Sequence, residues 1–290
     1  MNEAGIINYL LLILGLLMGS FLNVVGLRFR YESGVLHFKN LNGRSHCPRC
    51  KSTLKWYELV PVVSFLIQRG RCKHCKNSIS IQYPLVEIVS GLIFFYVPLV
   101  LLGSGNMFEI IHTAIWVLVF LTFIVLAVID YRQYLIPNSL NIWLALLGIG
   151  DVVAKNAMGN FGTFEGSALG HYAALFGLRD NIWINHGAAA LIGGVFLGLV
   201  FLITRGRAMG LGDVKLAFAL GLLMGYPDGI VALMLAFIVG ALVSGGLLLI
   251  RKKKIKEYVP FGPFIVLGAT IVFFFGEKLL YLYFKIFPAF

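Results

Sequence analysis

Eight apolar runs, each near the length needed to cross a bilayer, dominate this sequence. A helix needs about 20 residues to cross a hydrocarbon core about 30 Å thick. The chain has 290 residues, 59% of them hydrophobic and 13% charged, and a soluble domain of this size could not bury so much apolar surface. We therefore predict an all-α polytopic membrane protein with lipid as its solvent. The predicted helices are roughly 5–27, 84–103, 108–129, 135–153, 187–204, 212–226, 229–250 and 260–284, of which the sixth is shortest.

The basic residues lie between the apolar runs and orient the chain. If the eight helices cross the membrane in alternating directions, twenty of the 24 Lys and Arg residues fall on one side of the membrane. Cytoplasmic loops of membrane proteins are enriched in Lys and Arg, so this side is the cytoplasm and both termini lie outside. The first run is too long for a cleaved signal sequence, and we expect it to remain as a helix. The net charge of +11 thus reflects topology and predicts no nucleic-acid partner.

Two polar segments interrupt the helices and divide the chain. Residues 28–83 form a basic cytoplasmic loop that contains every cysteine, and residues 154–185 form an outside loop rich in Gly, Asn and aromatic residues. The second loop carries no recognisable chemistry. We expect a first membrane helix over 1–27, the cytoplasmic loop over 28–83, and a membrane bundle over 84–290.

The cysteines of the cytoplasmic loop form two CxxC pairs with 21 residues between them: Cys47 with Cys50, and Cys72 with Cys75. Each short turn can direct two thiolates at one point, and two turns complete the tetrahedral set that zinc prefers. Nearby Lys and Arg residues favour thiolates, and disulfides are rare in the reducing cytoplasm. We predict a structural zinc site, because four sulfur ligands leave no open position. Disulfides and free thiols are the alternatives.

Two aspartates lie at helix ends, where acidic residues are rare in membrane proteins and indicate function. Asp130 ends the third predicted helix and Asp213 opens the sixth. The third helix runs inward and the sixth runs outward, so both aspartates belong at the cytoplasmic edge. The alternatives are ordinary interfacial roles, in which Asp130 pairs with Arg132 and Asp213 caps a helix N-terminus.

A pair of close carboxylates has the chemistry of an aspartyl protease, because the two together hold one proton. The ionised carboxylate takes a proton from water as the water attacks a peptide carbonyl, and the protonated one stabilises the oxyanion. Such a pair titrates as a unit, so neither role is assigned to one residue. Gly210 and Gly212, just before Asp213, would leave the backbone open to an extended substrate strand.

Several motifs occur in one order along the chain. They are residues 19–28, the two CxxC pairs, residues 69–72 and 79–87, Asp130 with residues 136–138, the GxGD motif at 210–213, and residues 260–263. Together they resemble the bacterial type IV prepilin peptidases, also called prepilin leader peptidase/N-methyltransferases, which are GxGD intramembrane aspartyl proteases. The outside loop 154–185 looks longer than is usual in that family.

The resemblance implies that this protein removes the basic leader of type IV prepilins or pseudopilins on the cytoplasmic side. Asp130 and Asp213 would be the catalytic residues of a multi-pass protein in the bacterial cytoplasmic (inner) membrane. The resemblance also implies zinc in the cysteine loop and N-methylation of the new N-terminus with S-adenosylmethionine. No motif marks the methyl-donor site. A guess from the family places Glu58 and Glu87 near it, and pairing with the loop's Lys and Arg residues is the alternative.

Two other functions compete with this one. Presenilin-type proteases share GxGD, but their first aspartate follows a tyrosine, whereas Ile129 precedes Asp130 here. Those proteases also lack such a CxxC loop. A transporter or metal sensor would use its acids for ions, and its acids would lie near the membrane midplane rather than at its edge.

Overall fold

The computed structural model describes residues 3–30, 43–103, 105–157, 167–170, 181–250 and 259–286. In this part of the chain the regular elements are helices, and two isolated β-bridges lie in the cysteine loop. Much of the predicted outside loop 154–185, and the basic segment 251–258, lie outside the described residues. The helices are α1 (Glu3–Leu27), α2 (Val63–Ile67), α3 (Gln82–Leu101), α4 (Met107–Gln133), α5 (Asn138–Ala157), α6 (Ile182–Thr204), α7 (Leu211–Met224), α8 (Asp228–Leu249) and α9 (Gly262–Ile286).

Seven helices are long and apolar enough to cross a membrane by length and composition: α1, α3, α4, α5, α6, α8 and α9. The predicted sixth helix is α7, but its 14 residues extend only about 21 Å, less than the hydrocarbon core. Leu216, Leu220 and Leu223 on α7 are at most 1% exposed, so other helices enclose it. The prediction of an all-α polytopic membrane protein is confirmed, with α7 as a short inner helix.

One helix begins earlier than predicted. The sequence places the fifth helix at 187–204, whereas α6 starts at Ile182. Asn181 is its N-cap, and its side-chain oxygen accepts hydrogen bonds from the backbone N–H of Trp183 at 2.9 Å and of Ile184 at 3.3 Å. This cap satisfies two backbone donors that the first turn would otherwise leave open.

The chain divides into two compact units, Met1–Val128 (unit 1) and Ile129–Phe290 (unit 2). In unit 1, α1 packs along α3 through small residues. A Cβ added to Gly15 would lie 2.6 Å from the carbonyl oxygen of Ser90, and one added to Gly19 would lie 2.7 Å from the Cα of Glu87. Only glycine allows the two backbones to approach this closely.

In unit 2, α7 lies among α5, α6, α8 and α9. Gly221 on α7 faces the backbone of Ala190 on α6, where any side chain would collide. Gly268 on α9 faces the carbonyl of Ala232 on α8 in the same way. The first contact holds α7 against α6, and the second holds α9 against α8. The GxGD motif forms the N-terminal end of α7.

Candidate active site and metal centre

Asp130 lies in the last turn of α4 and is 4% exposed. Its Oδ2 accepts a hydrogen bond from the backbone N–H of Gly262 at 2.9 Å. Gly262 is the first residue of α9, so the positive end of that helix dipole faces the carboxylate. Pro263 follows in the first turn of α9. A backbone N–H at this position would have no acceptor within the helix, so proline costs no hydrogen bond here.

Asp213 lies in the first turn of α7 and is 8% exposed. Its Oδ2 accepts a hydrogen bond at 3.0 Å from the backbone N–H of Gly210, the residue at the N-cap position. The carboxylate therefore caps the entry to α7 from inside the first turn. Asp213 thus contributes to capping the N-terminus of α7, which was the structural alternative considered for it in the sequence analysis.

The fold of unit 2 brings Asp130 and Asp213 together. Their carboxylates are close enough to act on one another electrostatically. Neither forms an ion pair with a described Lys, Arg or His, so the suggested pairing of Asp130 with Arg132 is absent. Two buried like charges without a cation cannot both ionise easily, and one proton shared between them relieves the repulsion.

The turn before α5 packs against the start of α7 and fixes the position of Asp213. A Cβ on Gly212 would lie 3.0 Å from the Cβ of Ile136, which accounts for glycine at this position. Asn141 donates a hydrogen bond from Nδ2 to the carbonyl oxygen of Gly212 at 3.3 Å. Lys215 donates from Nζ to Oδ1 of Asn138 at 2.8 Å. The segment 136–138, quoted above for its resemblance, thus holds the GxGD turn in place.

A largely apolar groove of ≈ 660 Å³ lies between α5, α6 and α7, and its lining includes Val214 and Lys215, the two residues that follow Asp213 in the chain. Its polar lining residues, Asn138, Asn141 and Lys215, come from the starts of α5 and α7. Gly194 on α6 leaves space in the groove, because a Cβ there would already lie 3.3 Å from the ring of Phe218. The groove therefore runs from the polar residues around the aspartate onto an apolar surface.

The four cysteines come together in unit 1. Their Sγ atoms all lie within 4.8 Å of one another, and the Sγ atoms of Cys47 and Cys75 are 3.9 Å apart. Four sulfurs at about 2.3 Å from a tetrahedral zinc would lie about 3.8 Å from each other. All four cysteines are free thiols, which excludes the disulfide alternative. The cluster could hold a metal ion.

The two CxxC turns have the same backbone geometry. Lys51 donates its backbone N–H to the carbonyl of Cys47 at 2.9 Å, and Lys76 donates to Cys72 at 2.9 Å. Lys51 and Lys76 also share a positive φ, at 57° and 56°. A β-bridge flanks each turn, so the pairs are held as two matching knuckles.

Hydrogen bonds within the knuckles favour the thiolate form of Cys50 and Cys72. The Ser52 hydroxyl, 3.1 Å from the Sγ of Cys50, lowers the pKa of that thiol to about 6, and the backbone of Ser52 adds to the effect. Backbone hydrogen bonds from Cys75 and His74 lower the pKa of Cys72. At Cys75 the backbone of Asn77 acts in the same direction, but burial and the three neighbouring thiols outweigh it and raise the pKa to about 11. Metal ligands must be deprotonated, so the contacts of Cys50 and Cys72 suit a metal centre.

Comparison with known proteins agrees with the motifs. Residues 13–101 match the bacterial peptidase A24 N-terminal domain, and residues 116–245 match the type IV leader peptidase family. A prepilin leader peptidase/N-methyltransferase of Bacillus subtilis (strain 168) is 30% identical over 277 residues, which cover 95% of this chain and 97% of the relative. The chain belongs to the type IV leader peptidase family. The resemblance drawn from the motifs is thereby confirmed.

Two further relatives bear the same name. That of Aeromonas hydrophila is 32% identical, with 81% of this chain and 73% of the relative covered. The relative from Legionella pneumophila is 31% identical, with 82% of this chain and 74% of the relative covered. No solved structure matches the chain.

Two residues of the site were not identified from sequence. Gly262 belongs to a motif quoted for its resemblance, but only the fold shows its amide donating to Asp130. Asn141 lies outside every quoted motif. The sequence feature that could have identified Asn141 is its spacing of one helical turn from Pro137, which places it beside the GxGD turn.

Proposed function

We propose that this protein is a membrane aspartyl endopeptidase that removes the basic leader of type IV prepilins or pseudopilins. One observation carries the proposal: Asp130 and Asp213 are both buried, act on each other electrostatically, and have no described cationic partner. Family membership supports the same activity. It disfavours a transporter or sensor, and the match to bacterial prepilin peptidases disfavours a presenilin-type protease.

The aspartate pair would activate water between its carboxylates. As the water oxygen forms a bond to the scissile carbonyl carbon, the ionised carboxylate takes one of its protons. The protonated partner donates its hydrogen bond and then its proton to the carbonyl oxygen. When the carbon–nitrogen bond breaks, the nitrogen keeps the bonding pair and receives a proton from one carboxyl group. One hydroxyl of the tetrahedral intermediate gives its proton to the other carboxylate as the carbonyl double bond re-forms, so the pair again holds one proton. The amide of Gly262 holds one carboxylate in position throughout.

The orientation of the site follows from the distribution of charge. If α7 is counted as a short eighth crossing, both termini would lie outside, and the segment rich in Lys and Arg and both aspartates would face the cytoplasm. A basic leader would remain on that side for the same reason. The cytoplasmic membrane of a bacterium is the location that this topology and the relatives favour.

The groove beside Asp213 offers a place for the apolar part of the substrate. Its lining includes Val214 and Lys215, which follow Asp213 in the chain, and its apolar part is lined by Ile142, Leu191, Val195 and Phe218. A substrate that enters from the lipid would lay its apolar residues here while the scissile bond reaches the aspartates.

The second activity is N-methylation of the new N-terminus, which the names of the relatives suggest. S-adenosylmethionine, when bound, supplies a methyl group on a positively charged sulfur. Transfer of that methyl group to the new amine, with loss of one proton from the amine, would give the N-methylated product and S-adenosylhomocysteine. The cysteine geometry fits zinc, which would hold the two knuckles together.

The test is processing of a purified prepilin by the protein in lipid vesicles. Asp130→Asn and Asp213→Asn should each lower the cleavage rate by about 10³-fold or more, since acid–base groups contribute about 10²–10⁴-fold each. Thermal unfolding should be close to wild type, because each variant removes one of two repelling charges. Cleavage at the wild-type rate by either variant would contradict the two-aspartate mechanism.

A further inference from the structure

Asn141, near the start of α5, carries a buried polar atom that the fold does not use. Its side chain is 4% exposed. Its Nδ2 donates to the carbonyl oxygen of Gly212, whereas its Oδ1 is buried and has no hydrogen-bond partner among the described residues. Buried polar atoms in folded proteins almost always have a partner, because a buried acceptor without a donor is costly. This oxygen is therefore suited to a ligand that brings a donor.

The orientation of the Asn141 amide follows from its neighbour on α7. Gly212 presents a carbonyl oxygen, which can only accept a hydrogen bond, so the NH₂ group of Asn141 must face it. Exchanging the two ends of the amide would place two acceptors against each other. The amide oxygen is thus the end that remains for another molecule.

Asn141 also lines the groove between α5, α6 and α7. The other polar lining residues are Asn138, one helical turn earlier on the same face of α5, and Lys215 on α7. The Nζ of Lys215 donates to Oδ1 of Asn138 at 2.8 Å, which places the ammonium group at this end of α5. The polar part of the groove therefore combines an unused acceptor, the Asn141 oxygen, with a strong donor, the Lys215 ammonium.

A peptide bond has to leave the helical conformation before a protease can attack it. In a helix each backbone N–H is bonded to the carbonyl four residues earlier, and extension of the chain releases these groups. Lipid tails offer no acceptor, so a released N–H needs a partner from the protein. An extended strand presents both N–H and C=O groups along one edge, and these match the acceptor and the donor of the groove.

We propose that Asn141 is a substrate-binding residue whose Oδ1 accepts a backbone N–H from the extended segment beside the scissile bond. The inference rests on the proposed function, and it adds a directional contact to a groove that otherwise binds apolar side chains. The oxygen is covered, so an entering segment has to displace neighbouring side chains to reach it. Because the same amide holds Gly212, the residue before Asp213, the bound segment would take a fixed position relative to that aspartate.

A water molecule is the main competing partner of this oxygen, because ordered waters commonly satisfy buried polar groups. A lipid tail has no N–H or O–H group and would leave the oxygen without a donor. A third alternative is a structural role, in which Asn141 acts only by holding Gly212. In each of these cases, the effect of Asn141 on cleavage would be independent of any single N–H group of the substrate.

The experiment removes one N–H group of the substrate at a time. In a series of synthetic prepilin peptides, each backbone amide near the scissile bond, but not the scissile amide itself, is replaced by an ester. At one position, the ester should lower kcat/KM of the full-length protein in lipid vesicles about 10-fold, as expected for a lost hydrogen bond to a buried group. The same ester should change kcat/KM of Asn141→Ala less than about 2-fold, since the partner is already absent.

Two further variants keep the experiment decisive. Ser139→Ala is the matched control on α5, because Ser139 is exposed and does not line the groove, and its response to each ester should equal that of the wild type. Asn141→Leu has a similar size and no polar atom, so it provides a second test if the alanine variant does not fold. Thermal unfolding verifies that each variant is folded.

The outcomes separate the role of Asn141 from the activity itself. Loss of the ester effect in Asn141→Ala or Asn141→Leu, with Ser139→Ala like the wild type, supports the proposal. Esters that have no effect on the wild type, or that lower kcat/KM equally in the wild type and both Asn141 variants, would overturn it and leave the protease function intact. A wild type that does not cleave the all-amide peptide would refute the proposed function.

Discussion

Unit 2 contains buried aspartates at both of its ends, and the hydrogen-bond and ion-pair partners of these aspartates differ between the two ends. Asp228 accepts the Ser167 hydroxyl at 2.6 Å and the backbone N–H of Ala168 at 2.7 Å. Asp151 forms an ion pair with Lys155 at 3.0 Å. At the other end, Asp130 and Asp213 each accept one backbone N–H, have no described cation beside them, and repel each other.

This difference distinguishes structural acids from reactive ones. A buried carboxylate with compensating partners stabilises the fold and has little to gain from a proton. A buried pair that lacks such partners lowers its energy by taking up one proton, and so it can move protons in a reaction. The predictions below test whether this contrast holds, from the largest expected effect to the smallest.

The largest effect concerns the reactive pair as a unit. The double variant Asp130→Asn/Asp213→Asn should cleave prepilin no more slowly than either single variant, each reduced about 10³-fold or more. Groups that act together in one step show this non-additive behaviour. Rates from single-turnover cleavage assays would measure it. A double variant slower than the singles by the product of their effects would mean that the two residues act independently.

The next effect concerns the groove at the same end. Gly194→Leu should fill the groove and lower kcat/KM for a full-length prepilin about 10-fold, mainly through KM. Gly187→Leu is the matched control on α6, because a Cβ there has no atom within 4 Å. A short peptide without the apolar segment should be cleaved equally by both variants. If Gly194→Leu lost as much activity on the short peptide as on the full-length prepilin, the substitution would act by distorting the aspartate site and the groove would have no role in binding the substrate.

At the opposite end, Asp228→Asn should affect stability rather than chemistry. The amide cannot accept both of the donors that the carboxylate accepts, so we expect a loss of about 1–3 kcal/mol in unfolding free energy. Ser167→Ala should also destabilise the fold, by about 1–2 kcal/mol, because it removes the hydrogen bond to Asp228 and the one that the hydroxyl accepts from the backbone N–H of Leu169 at 3.2 Å. Prepilin cleavage at a temperature where the protein is folded should stay within about 3-fold of wild type. A loss of prepilin cleavage comparable to that of Asp213→Asn would contradict the proposed difference between structural and reactive aspartates.

The smallest effect on cleavage is expected from metal removal. Chelation should release one zinc ion per chain, raise proteolysis within residues 43–82 and abolish methylation. Cleavage should stay within about 3-fold, because the hydrogen bonds of Asp130 and Asp213 come from unit 2 alone. Metal content by mass spectrometry and the two assays on one sample would measure this. The absence of zinc in protein purified without chelator would refute the metal site.

Much of the fold follows from the sequence because hydrophobic length is a direct signal. The seven long helices fall within a few residues of their predicted runs, and Asp213 lies close enough to Asp130 to act on its charge. Their shared position at the cytoplasmic edge stays a prediction. The start of α6 was missed, because the cap of Asn181 depends on local hydrogen bonds rather than on hydropathy. The short length of α7 was visible, but its enclosure by neighbouring helices was not.

The supporting contacts of the site could not be predicted in the same way. Gly212 is explained by its contact with Ile136, a partner that a single sequence does not reveal. The open backbone expected at Gly210 stays a prediction. Glu58 and Glu87 look alike in sequence, yet only the fold shows that Glu58 lines a cavity in the cysteine loop, whereas Glu87 accepts the backbone N–H of Val62 at 2.8 Å.

The amide of Gly262 gives this protein a built-in order of assembly. The donor is part of the backbone, so side-chain substitution cannot remove it, and it enters the structure only with the ninth helix. A chain still emerging from the ribosome has both aspartates long before it has this contact. Hydrolytic competence would thus arrive at the end of synthesis, when the last membrane segment takes its place, and incomplete chains would be harmless to their surroundings.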